Sequence, residues 1–312
     1  MPFYIGADGG GTKTAYALFN ECKELLASHE GPGTNHENFG ENGFDEAARR
    51  IFEGVQALLG KAGLGLDDIG FAFMGLAGVD HPYQYEALMQ RLNAMGLTRL
   101  EIVNDGYIVV KAGCQSGAGI GLNLGTGTCC NAIDRQGRRA MLAGLGEFSG
   151  DIGNGSWIGA QVFRCAYDDL VLGIEPSAVT GMIFDLFNID SAEGLMPLVQ
   201  ELDCEGGNNT KRAFVNMFFE AVNAGDPPAQ RIAEQMALRG AQMITAHLRT
   251  LDFADPCEVV LSGSIHTKLP SEAYIKQLKA KAAQLSGREL IFRKLDRAPV
   301  MGCIDWILKE FA

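Results

Sequence analysis

The sequence predicts an α/β protein whose sheets are covered by helices on both faces. Three observations point there. Short apolar runs of strand length alternate with longer segments of helical periodicity along the whole chain. A strand, a Gly/Thr-rich turn and a second strand follow one another twice, near residue 10 and near residue 126, alike in pattern but not in residues. The 312 residues are 47% hydrophobic and 21% charged, enough to fill two ordinary domains or one large one.

Phe3–Ala7 and Ala15–Phe19 are apolar runs flanking the glycines Gly9–Gly11, and Glu24–His29 is a third strand candidate. From Phe44 to Leu59 the apolar residues Ala47, Ala48, Ile51, Val55, Leu58 and Leu59 recur at helical spacing, and Gly60 and Gly63 end that helix. Phe71–Met74 reads as a buried strand leading into Gly75–Asp80, Tyr83–Met95 as a helix, and Leu100–Val103 as a strand ending in Asn104 and Asp105. Ala118–Leu124 is the next strand; Gly125–Thr128 turns it into Cys129–Ile133. Gly155–Asp169, Ala178–Phe187, Lys211–Val222 and the long stretch Pro227–Leu251 read as helices. Glu258–Leu261 is a strand entering Ser262-Gly263-Ser264; a helix, a strand at Leu290–Phe292 and a last helix from Pro299 follow. No segment is of low complexity or Pro/Ser-rich.

The formal net charge of −12 argues against a nucleic-acid or anionic-membrane surface, where a basic face is expected. The eight cysteines, Cys22, Cys114, Cys129, Cys130, Cys165, Cys204, Cys257 and Cys303, form no C-x-x-C pair, and most sit in apolar runs. They read as reduced core thiols rather than metal ligands or disulfides. There is no basic-then-apolar leader pattern, and no apolar stretch reaches ~18 residues, so a cytoplasmic location is expected.

Glycines weaken a strand, so the run Gly9–Gly11 needs a reason. Neither G-x-x-x-x-G-K-[ST] nor a G-x-G-x-x-G that opens a helix is present. The glycines are followed by Thr12, Lys13 and Thr14 and then by a strand, so the loop is a hairpin. Successive N–H groups in such a turn can form an anion-binding nest. Asp8 beside it can hold a cation, a sensible pairing where Mg²⁺ lies against a phosphate. The plain alternative is a Gly-rich hairpin with no ligand.

Several segments together resemble a known family. Asp8-Gly9-Gly10-Gly11-Thr12-Lys13-Thr14 is similar to the first phosphate loop of the sugar kinase/heat-shock ATPase/actin superfamily, Leu124–Thr128 to its second, and Val259–Ile265 to its adenosine loop. The finer resemblance is to the N-acetylglucosamine kinase group, the BadF/BadG/BcrA/BcrD ATPase family. Gly33–Gly40 (GTNHENFG), Met74–Asp80 (MGLAGVD), Val103–Gly106 (VNDG) and Gly150–Gly159 (GDIGNGSWIG) carry it. Ile152 departs from the Glu usual there, and Asn154 from a frequent Ser; Asp151 is kept.

The resemblance implies two actin-like (ribonuclease H-like) domains with a nucleotide cleft between them, and a hinge. Residues 1–116 would form the first, with the helix 299–312 packing back on it, and 117–298 the second. It implies ATP and Mg²⁺. Gly10, Gly11, Thr12 and Lys13, with Gly125, Thr126, Gly127 and Thr128, would hold the phosphates, and Gly263 and Ser264 would approach the adenosine. Asp8 would hold Mg²⁺ through water. Lys13 reads equally as an exposed hairpin lysine. Asp105 follows an apolar strand and is the candidate general base, against the plain reading of Asn104-Asp105-Gly106 as a turn. Asn35, Asp105, Thr126, Gly127, Gly144 and Asp151 are the candidate sugar contacts. As plain alternatives, Asn35 is a turn former and Asp151 belongs to a helix start. His36 reads as a loop histidine and not a metal ligand, His81 and His266 as ordinary histidines, and Trp157 as core.

The activity implied is ATP-dependent phosphorylation of N-acetylglucosamine, at O6, by a homodimer, with N-acetylmuramic acid or glucosamine as alternative acceptors. Two other classes share the fold: an ATP-driven activator of a radical dehydratase, which needs cluster-binding cysteines, and a non-catalytic ATP sensor, which needs no base. Asp8 and Asp105 together argue against the sensor, and Cys129-Cys130 within a strand is a poor cluster site.

Overall fold

The computed structural model describes residues 2–203 and 208–311, so Cys204 lies outside the described residues. The chain divides into two compact units. Unit 1 comprises Met1–Gly121, Asn131–Met141 and Leu295–Ala312; unit 2 comprises Leu122–Cys130 and Leu142–Lys294. The expected α/β class is borne out by a five-stranded sheet and flanking helices in each half of the chain.

The first sheet is built from β1 (Phe3–Gly9), β2 (Lys13–Phe19), β3 (Leu25–Pro32), β4 (Ile69–Leu76) and β5 (Leu100–Val103), in the order β3-β2-β1-β4-β5. β1 to β3 form an antiparallel meander, while β4 and β5 add parallel to β1. The parallel joins need crossovers, supplied by α1 (Gly43–Ala62) and α2 (Pro82–Ala94). The predicted stripe Ala47, Ala48, Ile51, Val55, Leu58 and Leu59 is wholly buried and packs with Ile5, Ala7, Tyr16 and Leu18 into one core. Gly63, at φ 68°, ends α1 in the left-handed conformation. Asn104 caps α3 (Asp105–Gly113), a helix not expected from the sequence. Its run Ile108, Val109, Val110 and Ala112 is buried, so it lacks the polar stripe that marks a helix.

The second sheet takes β6 (Gly119–Leu124), β7 (Thr128–Ile133) and β8 (Arg139–Ala143), the last also unforeseen, then β9 (Cys257–Ser262) and β10 (Leu290–Lys294). Their order is β10-β9-β6-β7-β8. Its helices are α4 (Gly155–Leu170), α5 (Ala178–Phe187), α6 (Ala192–Leu195), α7 (Leu198–Asp203), α8 (Asn208–Ala224), α9 (Pro227–Thr250), α10 (Ser264–Thr267) and α11 (Glu272–Ser286). Cys130, Cys165, Cys257 and Cys303 are free thiols in buried positions, and burial pushes each upward, Cys165 to about 11 and Cys257 to about 12; Cys22, also free, is exposed rather than core. Among the described residues no helix is long and apolar enough to cross a membrane.

The chain leaves unit 1 after Gly121, later than the expected 116, and returns to it for 131–141, inside the range expected for the second domain. Local packing gives the reason: Asn131 bonds Asn104, and the Arg139 guanidinium lies 5.9 Å from the Trp306 ring centre. The last helix, α12 (Met301–Glu310), packs on α3, β1 and β4 of unit 1. Trp306 stacks on Phe73 at 4.5 Å, and Phe311 on Phe71 at 4.6 Å. Gly302 lets α12 reach α3: a Cβ there would sit 2.1 Å from the Ile108 carbonyl oxygen. Gly302→Ala is therefore expected to cost unit 1 about 1–3 kcal/mol of stability, read as an earlier urea midpoint. An unchanged midpoint would show that α12 is not tightly seated.

Candidate active site

Parallel pairing sets the carboxylate edge of unit 1. Asp8 on β1 lies opposite Gly75 on β4, and Gly75 opposite Val103 on β5. Asp8, the exit of β4 with Asp80, and the exit of β5 with Asp105 therefore share one end of the sheet. Burial drives the Asp8 carboxyl up to about 6, with Lys13 working the other way. Burial drives Asp105 up to about 7, helped by the negative charges of Asp8 and Asp80. A carboxylate poised near neutrality is what proton transfer at neutral pH requires.

The glycine run serves close approach rather than unusual dihedrals. The Gly10 N–H donates to the Lys13 carbonyl (2.9 Å), and the Gly10 carbonyl accepts from the Thr34 N–H (3.0 Å). Asn38 Nδ2 donates to the Gly11 carbonyl at 3.0 Å. A Cβ on Gly9 would meet Thr34 Oγ1 at 2.5 Å, and one on Gly33 the Gly11 carbonyl oxygen at 2.2 Å. Lys13 is exposed, and its Nζ donates to Glu30 at 2.6 Å across the β2–β3 pair. Asn35 accepts from the Glu37 N–H at 3.1 Å and caps the short turn His36–Asn42. His36 is buried and stacks on Phe44 at 4.1 Å, so it is a packing residue, not an open loop histidine.

Unit 2 brings the other loops together. A pocket of about 390 Å³ is lined by Gly125, Thr126, Gly155 and Ser156, by Ser264 beyond β9, and by Lys211, Arg212 and Lys268. Three cations, the turn Gly125–Thr126 and the N-terminal end of α4 give this pocket a lining suited to an anion, in an otherwise acidic chain. Gly263 holds φ 81° and ψ 163°, and a Cβ there would lie 2.1 Å from the Leu124 carbonyl oxygen. Thr126 and Gly127 are exposed. Thr128 is not: its hydroxyl donates inward to the Ile152 carbonyl at 3.1 Å. Ile152, at the departure from the family Glu, thus contributes its backbone. Asn154 caps α4 by accepting from the Trp157 N–H at 2.9 Å, a role Ser fills equally. Trp157 is half-buried rather than core. His266 is fully buried; it shares a 2.8 Å bond from Nδ1 with the Ser262 carbonyl and is pushed down to about 4 by burial.

Gly144 and Asp151 are brought together by bonding one another. Asp151 Oδ2 accepts from the Gly144 and Gly146 N–H groups at 2.8 and 2.9 Å, and Oδ1 from the Ser149 hydroxyl at 2.7 Å. Arg239 on α9 donates to the Ser149 carbonyl. The carboxylate organises its own loop.

Among the described residues no group of three or more His, Cys, Asp or Glu side chains converges closely enough to hold a metal. One half-buried carboxylate, Asp8, beside a phosphate-type loop still suits Mg²⁺, which keeps several waters and takes the rest of its oxygens from a substrate's phosphates. Sequence reading missed Lys211, Arg212, Lys268, Asp80, Asn104 and Asn131. Asn131 had a visible signal, an amide inside the apolar strand Cys129–Ile133, where a buried polar group needs a partner.

A family model, the BadF/BadG/BcrA/BcrD ATPase family, matches residues 5–293. The chain belongs to this ATPase family. An N-acetylmuramic acid/N-acetylglucosamine kinase of Clostridium acetobutylicum is 29% identical over 198 residues, 63% of this chain and 63% of the relative. An N-acetyl-D-glucosamine kinase of Dictyostelium discoideum is 29% identical over 177 residues, 52% of this chain and 53% of the relative. The chain thus spans less than two thirds of the length of these curated relatives. The crystal structure of a candidate N-acetylglucosamine kinase from Chromobacterium violaceum matches with a TM-score of 0.69 and 23% identity, covering 99% of both chains. This ATPase-family chain accordingly has the two-domain, actin-like fold of sugar kinases.

Proposed function

We propose that the protein is an ATP-dependent amino-sugar kinase that transfers the γ-phosphate to a hydroxyl of N-acetylglucosamine, at O6. The observation that carries this is Asp105 at the exit of β5, half-buried and raised to about 7, in a chain that also carries the pocket lined by Gly125, Ser264, Lys211, Arg212 and Lys268. The two curated relatives, both named for amino-sugar phosphorylation, support the acceptor class.

Phosphoryl transfer asks for positioning and charge neutralisation more than covalent chemistry. In this reading Gly10, Gly11 and Thr12 and the turn Gly125–Gly127 hold the ATP phosphates. Lys211, Arg212 and Lys268 offset their charge, and Gly263 and Ser264 admit the adenosine. Asp8 would hold Mg²⁺, which would supply charge neutralisation at the phosphates. Asp105 takes the proton of the sugar hydroxyl as that oxygen attacks phosphorus. Asn35 and the loop of Gly144 and Asp151 orient the sugar, Asp151 by shaping the loop. The family resemblance adds a homodimer, which sedimentation equilibrium tests. Cys130 is fully buried, which disfavours the cluster-carrying activator.

ADP release with Mg-ATP tests the reading against N-acetylglucosamine, N-acetylmuramic acid, glucosamine, N-acetylmannosamine, glucose and no sugar. Turnover highest with N-acetylglucosamine is expected. A flat response across the panel removes the kinase assignment, and a different best sugar replaces the acceptor.

A further inference from the structure

Asp80 has no part in the chemistry above, yet its placement is not that of a surface carboxylate. Its Oδ1 accepts a hydrogen bond from Asn104 Nδ2 at 2.7 Å. A carboxylate only accepts, so this bond fixes which way the Asn104 amide points. Asn104 Oδ1 is thereby left to accept from the Gly106 N–H at 2.9 Å and from Asn131 Nδ2 at 2.9 Å. Asn104 is 6% exposed and Asn131 0%. Asn104 is the N-cap of α3 and Asp105 is the first residue of that helix. Side chains from the exit of β4 and from β7 thus meet on the Asn104 side chain, whose Oδ1 holds the peptide N–H that follows Asp105. Gly106 completes the fit, since a Cβ there would lie 2.1 Å from Asn131 Oδ1.

A helix cap alone does not call for this arrangement, because an Asn caps unaided. Asp80 also sits against opposition: burial and the charge of Glu37 disfavour its ionised form, while Asn104, His81 and His36 favour it. It in turn repels Asp105. A neutral acceptor would satisfy Asn104 Nδ2 without that repulsion, but a neutral amide or hydroxyl also donates and would allow the Asn104 amide to turn over.

We propose that Asp80, acting through Asn104 and Asn131, is a positioning residue that holds the Asp105 carboxylate in the geometry needed for proton removal. This rests on the reading of Asp105 as the base. Misplacement by about 1 Å costs on the order of 100-fold in rate, which sets the scale of the test. With the best sugar of the panel, Asp80→Ala is expected to lower kcat by ~10–100-fold with KM for ATP unchanged. Asp80→Asn, which still offers an acceptor oxygen but can also donate, should recover only part of the loss. In an Asp105→Asn background, Asp80→Ala should add nothing, because there is no base left to position. Asp80→Ala at wild-type kcat, or a loss that multiplies that of Asp105→Asn, overturns the proposal alone. Asp105→Asn at wild-type kcat removes the base reading and the proposal with it. Amide exchange at Gly106 gives a substrate-free readout: fastest in Asp80→Ala and intermediate between that and wild type in Asp80→Asn. Unchanged exchange in Asp80→Ala also overturns it, and if Asp80→Ala does not fold, Asp80→Asn in the two backgrounds carries the same comparison.

Discussion

Asp105→Asn is expected to lower sugar-dependent ADP release by roughly 10²–10⁴-fold, the usual worth of a general base. The loss should fall on kcat, with the KM values for ATP and sugar little changed, since the amide keeps the shape and loses only the proton acceptor. A variant with wild-type turnover would remove Asp105 from the mechanism. The same substitution should stabilise the fold. Asp105 is raised to about 7 in the folded protein, far above the ordinary carboxylate value. A group with a raised folded value favours folding below its unfolded pKa and loses that contribution as pH climbs through the folded value. At pH 8 the folded protein therefore bears the full cost of an ionised, crowded carboxylate, up to about 4 kcal/mol. Thermal melts in EDTA should show Asp105→Asn more stable than wild type at pH 8, with the gap closing as pH falls toward 4. A gap independent of pH would mean that Asp105 titrates as an ordinary carboxylate. Less active and more stable is the signature of a group kept for chemistry.

The second large effect is expected at Gly263. Its dihedrals fall in a region open essentially to glycine alone, and an alanine methyl would strike both the Leu124 carbonyl oxygen and Asn123 Oδ1, the latter at 2.5 Å. Strain of about 1–3 kcal/mol comes from the backbone alone. Relief of the clash must move Leu124, the residue directly before Gly125, so the damage passes to the pocket that Gly125 lines. Gly263→Ala should weaken ATP binding at least ~10-fold by calorimetric titration while circular dichroism stays near wild type. Undiminished ATP affinity would remove Gly263 and Ser264 from the nucleotide site.

Much of the frame was legible because periodicity was unambiguous. The α1 stripe and the strands β1, β2, β4, β5, β6 and β9 are short apolar runs bounded by glycine or polar turns. The helix α3 was not legible: Asn104-Asp105-Gly106 reads locally as a turn, and the following residues are buried on nearly every side. At the site, Asp8 and Asp105 could be picked out at strand ends. Lys211, Arg212 and Lys268 could not, because residues 211 and 268 become neighbours only when α8 and the segment after β9 fold together. Asn35, Asp151 and Thr128 are expected at the site from the resemblance of their segments. Asn35 and Asp151 bond the backbone of their own loops and Thr128 the distant Ile152 carbonyl, which the sequence does not reveal.

The division of the chain also fixes an order of assembly during synthesis. Nearly all of unit 2 is encoded as one block, 142–294, inserted before the last segment of unit 1. When that block has left the ribosome, β1 still lacks α12, whose Cys303 Sγ lies 3.5 Å from the Ala7 carbonyl oxygen. The strands made first thus wait longest for their cover. In the nascent chain Phe71 and Phe73 stay without Phe311 and Trp306, an aromatic surface for a chaperone to shield.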